Sequence, residues 1–154
     1  MNEIQEYRQG LLETLLETAR AFTQDCRQGD AFVPIESGGW NAHQIAAHVR
    51  DVQRHVYGMR IRRTAAEEDP LFNNFDADAW MAEHYRADEP LELILAEIES
   101  DVEELVAWLR TLPETAWSRV SRHETQGRNL TLQHWVERSL AHLKEHLETL
   151  RRRS

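Results

Sequence analysis

Apolar residues recur along this chain at steps of three and four, the period of helices buried on one face. Over about residues 3 to 28, Ile4, Tyr7, Leu11, Leu15, Ala19, Phe22 and Cys26 form one stripe, which Gly29 and Pro34 bring to an end. A second helix is expected over about residues 42 to 63. Asn41 is a good N-cap, Gln44 three residues on completes a capping box, and Trp40 and Ile45 occupy the staple positions. Val49, Val52, Val56 and Met59 continue its stripe. A third helix covers about residues 90 to 111, with Pro90 suited to the first turn and Pro113 as the stop. Leu91, Ile94, Ile98, Val102, Leu105, Leu109 and Leu112 make its inner face, whereas Glu97, Asp101 and Glu104 should face water. The fourth begins at Thr131 as N-cap, with Leu130 and Trp135 placed as a staple and Val136, Leu140, Leu143, Leu147 and Leu150 turned inward.

Two connections separate these runs. Thr64 to Pro70 reads as a polar linker, and Asp76 to Tyr85 as a short extra helix carrying Trp80, Met81, His84 and Tyr85. Residues 113 to 130, with Gly127 inside Gln126-Gly127-Arg128-Asn129, form the second connection. No β-alternation of useful length interrupts the pattern. Four long amphipathic helices pack naturally as one bundle, so the expected fold is an all-α four-helix bundle in a single domain over residues 1–154.

Composition narrows the partners. A chain of 154 residues, 41% hydrophobic and 29% charged, can bury a core without covalent staples. Its one cysteine, Cys26, allows no internal disulfide and suits a reducing compartment. Lying on an apolar stripe, this thiol reads as buried and inert. The start, Met1-Asn2-Glu3-Ile4-Gln5-Glu6, lacks the basic and apolar parts of a signal peptide, and no window approaches a membrane span of roughly 20 apolar residues. A cytoplasmic protein without a membrane partner is therefore expected. A net charge of −9 disfavours nucleic acid, and the basic run Arg151-Arg152-Arg153 suits the end of a helix dipole.

Eight histidines carry the chemistry. His142 and His146, four apart on the last helix, share one face one turn apart, at the edge of its leucine stripe. His48 lies on the inward face of helix 2, and a helix packed beside the last one can bring it opposite that pair. Three imidazoles from two helices would leave a further coordination position open, the pattern of a catalytic metal site. Such ligands suit zinc, nickel, iron or copper. His55 follows His48 by seven residues, hence on the same face and about 10.5 Å further along, where it can line a pocket. His43 and His134 fall in first helical turns and read as exposed. His84 and His123 lie in the connections, from which either can supply a fourth ligand. H-E-x-x-H, E-x-x-H, C-x-x-C, the P-loop and G-x-G-x-x-G are all absent.

The stretch Gly39-Trp40-Asn41-Ala42-His43-Gln44-Ile45-Ala46-Ala47-His48 resembles the helix-2 segment of the DinB/YfiT-like superfamily. Gly127-Arg128-Asn129-Leu130-Thr131-Leu132, followed by His142-Leu143-Lys144-Glu145-His146, resembles its final-helix signature. With the helix order and the long connection between helices 2 and 3, the resemblance covers nearly the whole chain. It implies up-down-down-up topology and one divalent metal, zinc or nickel foremost and iron next, held by His48, His142 and His146. It also implies kinship with thiol-dependent transferases and isomerases, and a homodimer.

Three functional readings stand side by side. In the first, the metal lowers the pKa of a thiol or water that attacks a small electrophile, as in a thiol transferase or hydrolase, with His55, Tyr57 and Trp80 lining the pocket and Trp80 as its lid. In the second, the metal is structural or regulatory, in a stress-response interaction module whose site is closed by His84 or His123. In the third, the chain is a plain helical interaction protein with no metal.

Overall fold

The computed structural model describes residues 2–153, and four long helical runs dominate it. Helix α1 spans Glu3–Cys26. The second run comprises α2, Ala42–Val52, a π-helical segment, Gln53–Gly58, and α3, Met59–Ala66. A two-residue strand β1, Leu71–Phe72, and a short helix α4, Ala77–His84, lead to α5, Leu91–Thr111. A 3-10 turn at Glu114–Ser118, strands β2 (Val120–His123) and β3 (Gly127–Thr131), and helix α6 (Leu132–Arg151) complete the order.

The helix starts follow local chemistry. Asn2 and Gln5 form a reciprocal capping box at α1, and Asn41 and Gln44 form another at α2. Asp76 and Thr131 cap α4 and α6 with their side-chain oxygens. Each cap satisfies an N–H that the first turn leaves without a partner.

Cross-helix contacts define the topology. Tyr7 bonds to Glu137 and Arg151 pairs with Asp25, so α1 and α6 run parallel. Arg27 meets Glu92 while Arg8 meets Glu114, so α1 and α5 are antiparallel. Arg50 and Arg54 reach Glu97 and Asp101 respectively, which sets α5 parallel to the second run. Gln53 meets Ser139 and His48 meets His142, so α6 opposes that run. The sequence of directions is up, down, down, up, and the helices go round the bundle as α1, α5, α2, α6.

Leu15, Phe22, Ile94, Ile98, Val136 and Leu143 are fully buried at its centre. Each such side chain contributes about 1.5–3 kcal/mol by leaving water. Ile4 and Tyr7 depart from the expected stripe. Both are exposed, because α1 reaches past the core there, and Arg8 is the buried residue, between Glu114, Gln133 and the Trp117 ring. Glu97 and Asp101 are not simply solvated, since both accept Arg54 in ion pairs. The basic end of α6 is likewise paired, Arg151 with Asp25 and Arg152 with Glu36.

Two local features differ from the helical pattern. The two connections meet in a small sheet, in which β1 from the first pairs parallel with β2 from the second, and β2 pairs antiparallel with β3. Ser121 ties it to α6, accepting from Trp135 Nε1–H at 2.7 Å and donating to the Leu130 carbonyl. Gly127 turns the hairpin at φ 111, a region that glycine enters freely.

The other feature is the π segment. It adds a residue to one turn, so faces beyond it are rotated relative to a regular helix. Gly58 is required there, because a Cβ would lie 2.8 Å from the Gln53 carbonyl oxygen. Gly58→Ala is expected to lower stability by about 1–3 kcal/mol through this overlap. Gly10, exposed within α1 with open space around it, should respond oppositely, Gly10→Ala gaining about 0.5–1 kcal/mol. Urea midpoints of the two variants check the opposite signs.

Candidate metal centre

The antiparallel packing of α2 on α6 brings the three histidines together. His48 Nε2 lies 3.1 Å from His142 Nε2, which lies 3.1 Å from His146 Nε2, and all three donor atoms fall within 4.8 Å of one another. His48 is buried, and His142 and His146 are half-buried. Trp40 packs beside His48 and Tyr57 beside His142, with ring centroids 5.0 and 5.6 Å apart.

Register between the two helices is held by a buried amide–hydroxyl pair. Gln53 Nε2 donates to the Ser139 carbonyl at 3.1 Å, and Ser139 Oγ donates to Gln53 Oε1 at 2.6 Å. Ser139 precedes His142 by one turn, so this clamp positions the histidine pair directly.

Burial dominates the electrostatics. It pushes the His48 pKa down to about 4, helped by His146 and opposed by Asp51. It pushes His142 down to about 2, with His146, His48 and Arg138 adding to the effect. His146 is lowered for the same reason, against the pull of Glu145. Neutral imidazoles are what a metal requires, since each offers one lone pair.

The donor set fits a cation. His142 Nε2 stands equally close to two other imidazole nitrogens, and one hydrogen can bridge only one of those contacts. His142 Nδ1 is buried without a partner, so no hydrogen bond there fixes the tautomer. A cation between the rings engages all three lone pairs. Tetrahedral ligands at bonds of 2.0–2.1 Å would stand about 3.3 Å apart, close to the two separations of 3.1 Å that His142 Nε2 makes.

The centre opens on a cleft of about 400 Å³. Val52, Val56, Tyr57 and Arg60 form one wall, and Phe75, His123 and Glu145 contribute to the others. Of the three side chains the sequence offers for a pocket, Tyr57 lines this cleft. His55 and Trp80 do not. His48, Val52, Val56 and Arg60 succeed one another at steps of four because the π segment inserts a residue. This turns His55 outward, where it is exposed against Trp80. Trp80 is held outside the cleft, its Nε1–H donating to Asp51 Oδ2 at 3.0 Å.

Neither suggested fourth ligand joins the cluster, which has three members among the described residues. His84 stacks on Trp80 at the surface. His123 lines the cleft but turns its Nε2 toward Arg60, 3.4 Å away. His43, expected to be exposed, is wholly buried, with Nδ1 2.6 Å from Tyr85 Oη and Nε2 2.7 Å from the Glu89 carbonyl. It joins the start of α2 to the segment before α5. His134 is half-buried, capped by Thr131 and set against Trp135. Burial pushes the Cys26 thiol up to about 12, so no thiolate nucleophile is available there.

Glu145 and Arg60 escaped the sequence reading. Glu145 shares the i, i+3, i+4 spacing of His142 and His146, a signal that was present. Arg60 had none, because its place on the cleft depends on the four-residue step across the π segment.

The sequence matches the DinB superfamily over residues 2–150, and the protein belongs to that family. It is 30% identical over 116 residues to a protein of Oceanobacillus iheyensis that is named a candidate metal-dependent hydrolase. That match takes in 72% of this chain and 63% of the relative, so it leaves more than a third of the relative unmatched. The fold is similar to YfiT from Bacillus subtilis, described as a candidate metal-dependent hydrolase with an unusual four-helix bundle topology. The TM-score is 0.84 at 22% identity, over 98% of this chain and 86% of the other.

Two tests address the centre. Ser139→Ala should cost about 1–3 kcal/mol by leaving the Gln53 amide buried with a missing partner, and should also loosen the histidine register, read from ring resonances in NMR. Metal-free protein should lose stability as pH falls. Folded pKa values below the unfolded value of about 6.5 mean that the unfolded chain takes up protons first. The loss starts near pH 6.5 and continues to about 4 for His48. It amounts to about 2 kcal/mol at pH 5 for one such ring, and melting temperature against pH measures it.

Proposed function

We propose that His48, His142 and His146 hold one divalent transition metal and that the protein is a metal-dependent hydrolase acting on a small molecule. The carrying observation is the convergence of three buried or half-buried Nε2 atoms beside an open cleft, with no fourth protein ligand among the described residues. Closed sites serve structure, whereas three-ligand sites leave a position for chemistry. The imidazole-only set suits zinc, nickel or iron. When bound, such an ion supplies a Lewis acid that brings the pKa of water toward about 7.

The chain's own residues supply the rest. Burial keeps the three rings neutral, so they remain ligands rather than cations at neutral pH. Glu145 is the one carboxylate lining the cleft among the described residues, and it stands next to His146 in sequence. We assign it the proton that a water nucleophile must give up. Tyr57, packed on His142, offers a hydroxyl on the same wall. A proton acceptor beside the centre favours water over a small thiol as nucleophile, since the metal alone suffices to hold a thiolate.

Elemental analysis of untagged protein should give one metal ion per chain, and His142→Ala should abolish it. Unchanged metal content in that variant removes the centre. Glu145→Gln should retain the ion and lose about 100-fold or more in hydrolysis of activated esters or amides. Conjugation of a thiol to an electrophile, with no hydrolysis, would instead assign the nucleophile to the thiol.

A further inference from the structure

Arg60 is a buried charge that no carboxylate answers among the described residues. It is 4% exposed, and its Nε is buried without a partner. Its Nη2 donates to the Asn73 carbonyl at 3.0 Å, and its guanidinium lies 4.7 Å from the Trp135 ring centroid. A carbonyl and an aromatic face soften the burial of a cation but leave its charge in place. Arginine does not escape by losing its proton.

The neighbours are donors too. His123 Nδ1 accepts N–H groups from Thr125 at 3.1 Å and Gln126 at 3.2 Å, across the hairpin turn. The neutral ring therefore carries its hydrogen on Nε2, the atom 3.4 Å from Arg60 Nη2. Two donors face each other, and the acceptor between them is the Asn73 carbonyl, which leaves Arg60 Nε without one. Asn74 also lines the cleft, and its Oδ1 is occupied by the Thr125 hydroxyl at 2.9 Å, which leaves its NH₂ to donate. These three groups share the cleft that holds the three histidines.

We infer that Arg60, His123 and Asn74 form an anion subsite that takes the carboxylate of a small acidic substrate, whose reacting bond lies at the three histidines. The second half of that statement rests on the proposed hydrolase reading, whereas the subsite itself does not. Arg60 Nε–H together with an Nη N–H is the two-toothed edge that a carboxylate accepts. One guanidinium neutralises one carboxylate. A phosphate dianion would leave a surplus negative charge in a buried place with too few donors, so a carboxylate is the better fit.

The test uses metal-free protein, so its outcome does not depend on whether the histidines hold a metal. Melting temperature is followed against acetate, phosphate and neutral acetamide at constant ionic strength. Acetate should raise it saturably in the millimolar range, acetamide should not, and in ¹⁵N spectra the Arg60 Nε–H resonance should move with the same dissociation constant. Arg60→Met should abolish the acetate increment. If that variant fails to fold, Arg60→Lys, which keeps the charge without the fork, should bind acetate at least tenfold more weakly. Equal increments in wild type and variant, or no acetate effect in wild type, overturn the subsite. Phosphate binding tenfold tighter than acetate overturns the carboxylate assignment.

Discussion

Gln53 and Ser139 exchange two hydrogen bonds in the interior, between helices that run in opposite directions. A buried amide must be satisfied, at a cost of about 1–3 kcal/mol when it is not, so this pair admits one axial register. A slip of a single residue on either helix would break both bonds and carry His48 about 1.5 Å along the axis from His142. The leucine and isoleucine contacts around the pair are non-directional and would tolerate such a slip far better. The core supplies the stabilisation of the bundle, and the polar clamp decides which of several similar packings forms the three-nitrogen cluster.

Much of this was legible in the sequence because the signals are local. Asn41 with Gln44, and Thr131 before α6, announce helix starts through hydrogen bonds made within one turn. The spacing of His142 and His146 puts them on one face whatever the tertiary structure, and His48 needed only a neighbouring helix. What escaped the reading depends on departures from regular period or on distant partners. Strands of two to five residues, such as β1 and β3, are too short to show alternation. The π segment leaves no mark in the hydrophobic pattern, yet it turns His55 out and Arg60 in. His43 is buried because Tyr85 and Glu89 receive it, and nothing near residue 43 predicts those contacts.

Function then follows from how polarity is divided across one cleft. At one end, three neutral imidazoles present lone pairs and no hydrogen between them can satisfy every contact. At the other, Arg60, His123 and Asn74 present hydrogens, and the Asn73 carbonyl leaves Arg60 Nε without a partner. Each arrangement is costly by itself, and under the proposed reading each would be completed by a ligand of opposite character, a cation in the first case and an anion in the second. A substrate spanning the two would be oriented by the fixed separation of the ends, with Glu145 and Tyr57 on the walls where its reacting atoms pass. Orientation of this kind removes entropy before the reaction begins, and it lowers the barrier without any group having to move.

The π segment is where these two ends are joined. One inserted residue keeps Val52, Val56 and Arg60 in line with His48, so that a single helical run reaches from the three histidines to the buried arginine. A regular helix would have placed His55 and Met59 on that line, and Arg60 would have pointed about 120° away. Gly58 makes the insertion possible by leaving room for the Gln53 carbonyl, and Gln53 at the start of the segment is also the residue that clamps α6. The same six residues therefore set the register of the histidines and the direction of the arginine, which couples the two halves of the cleft through the backbone of one helix.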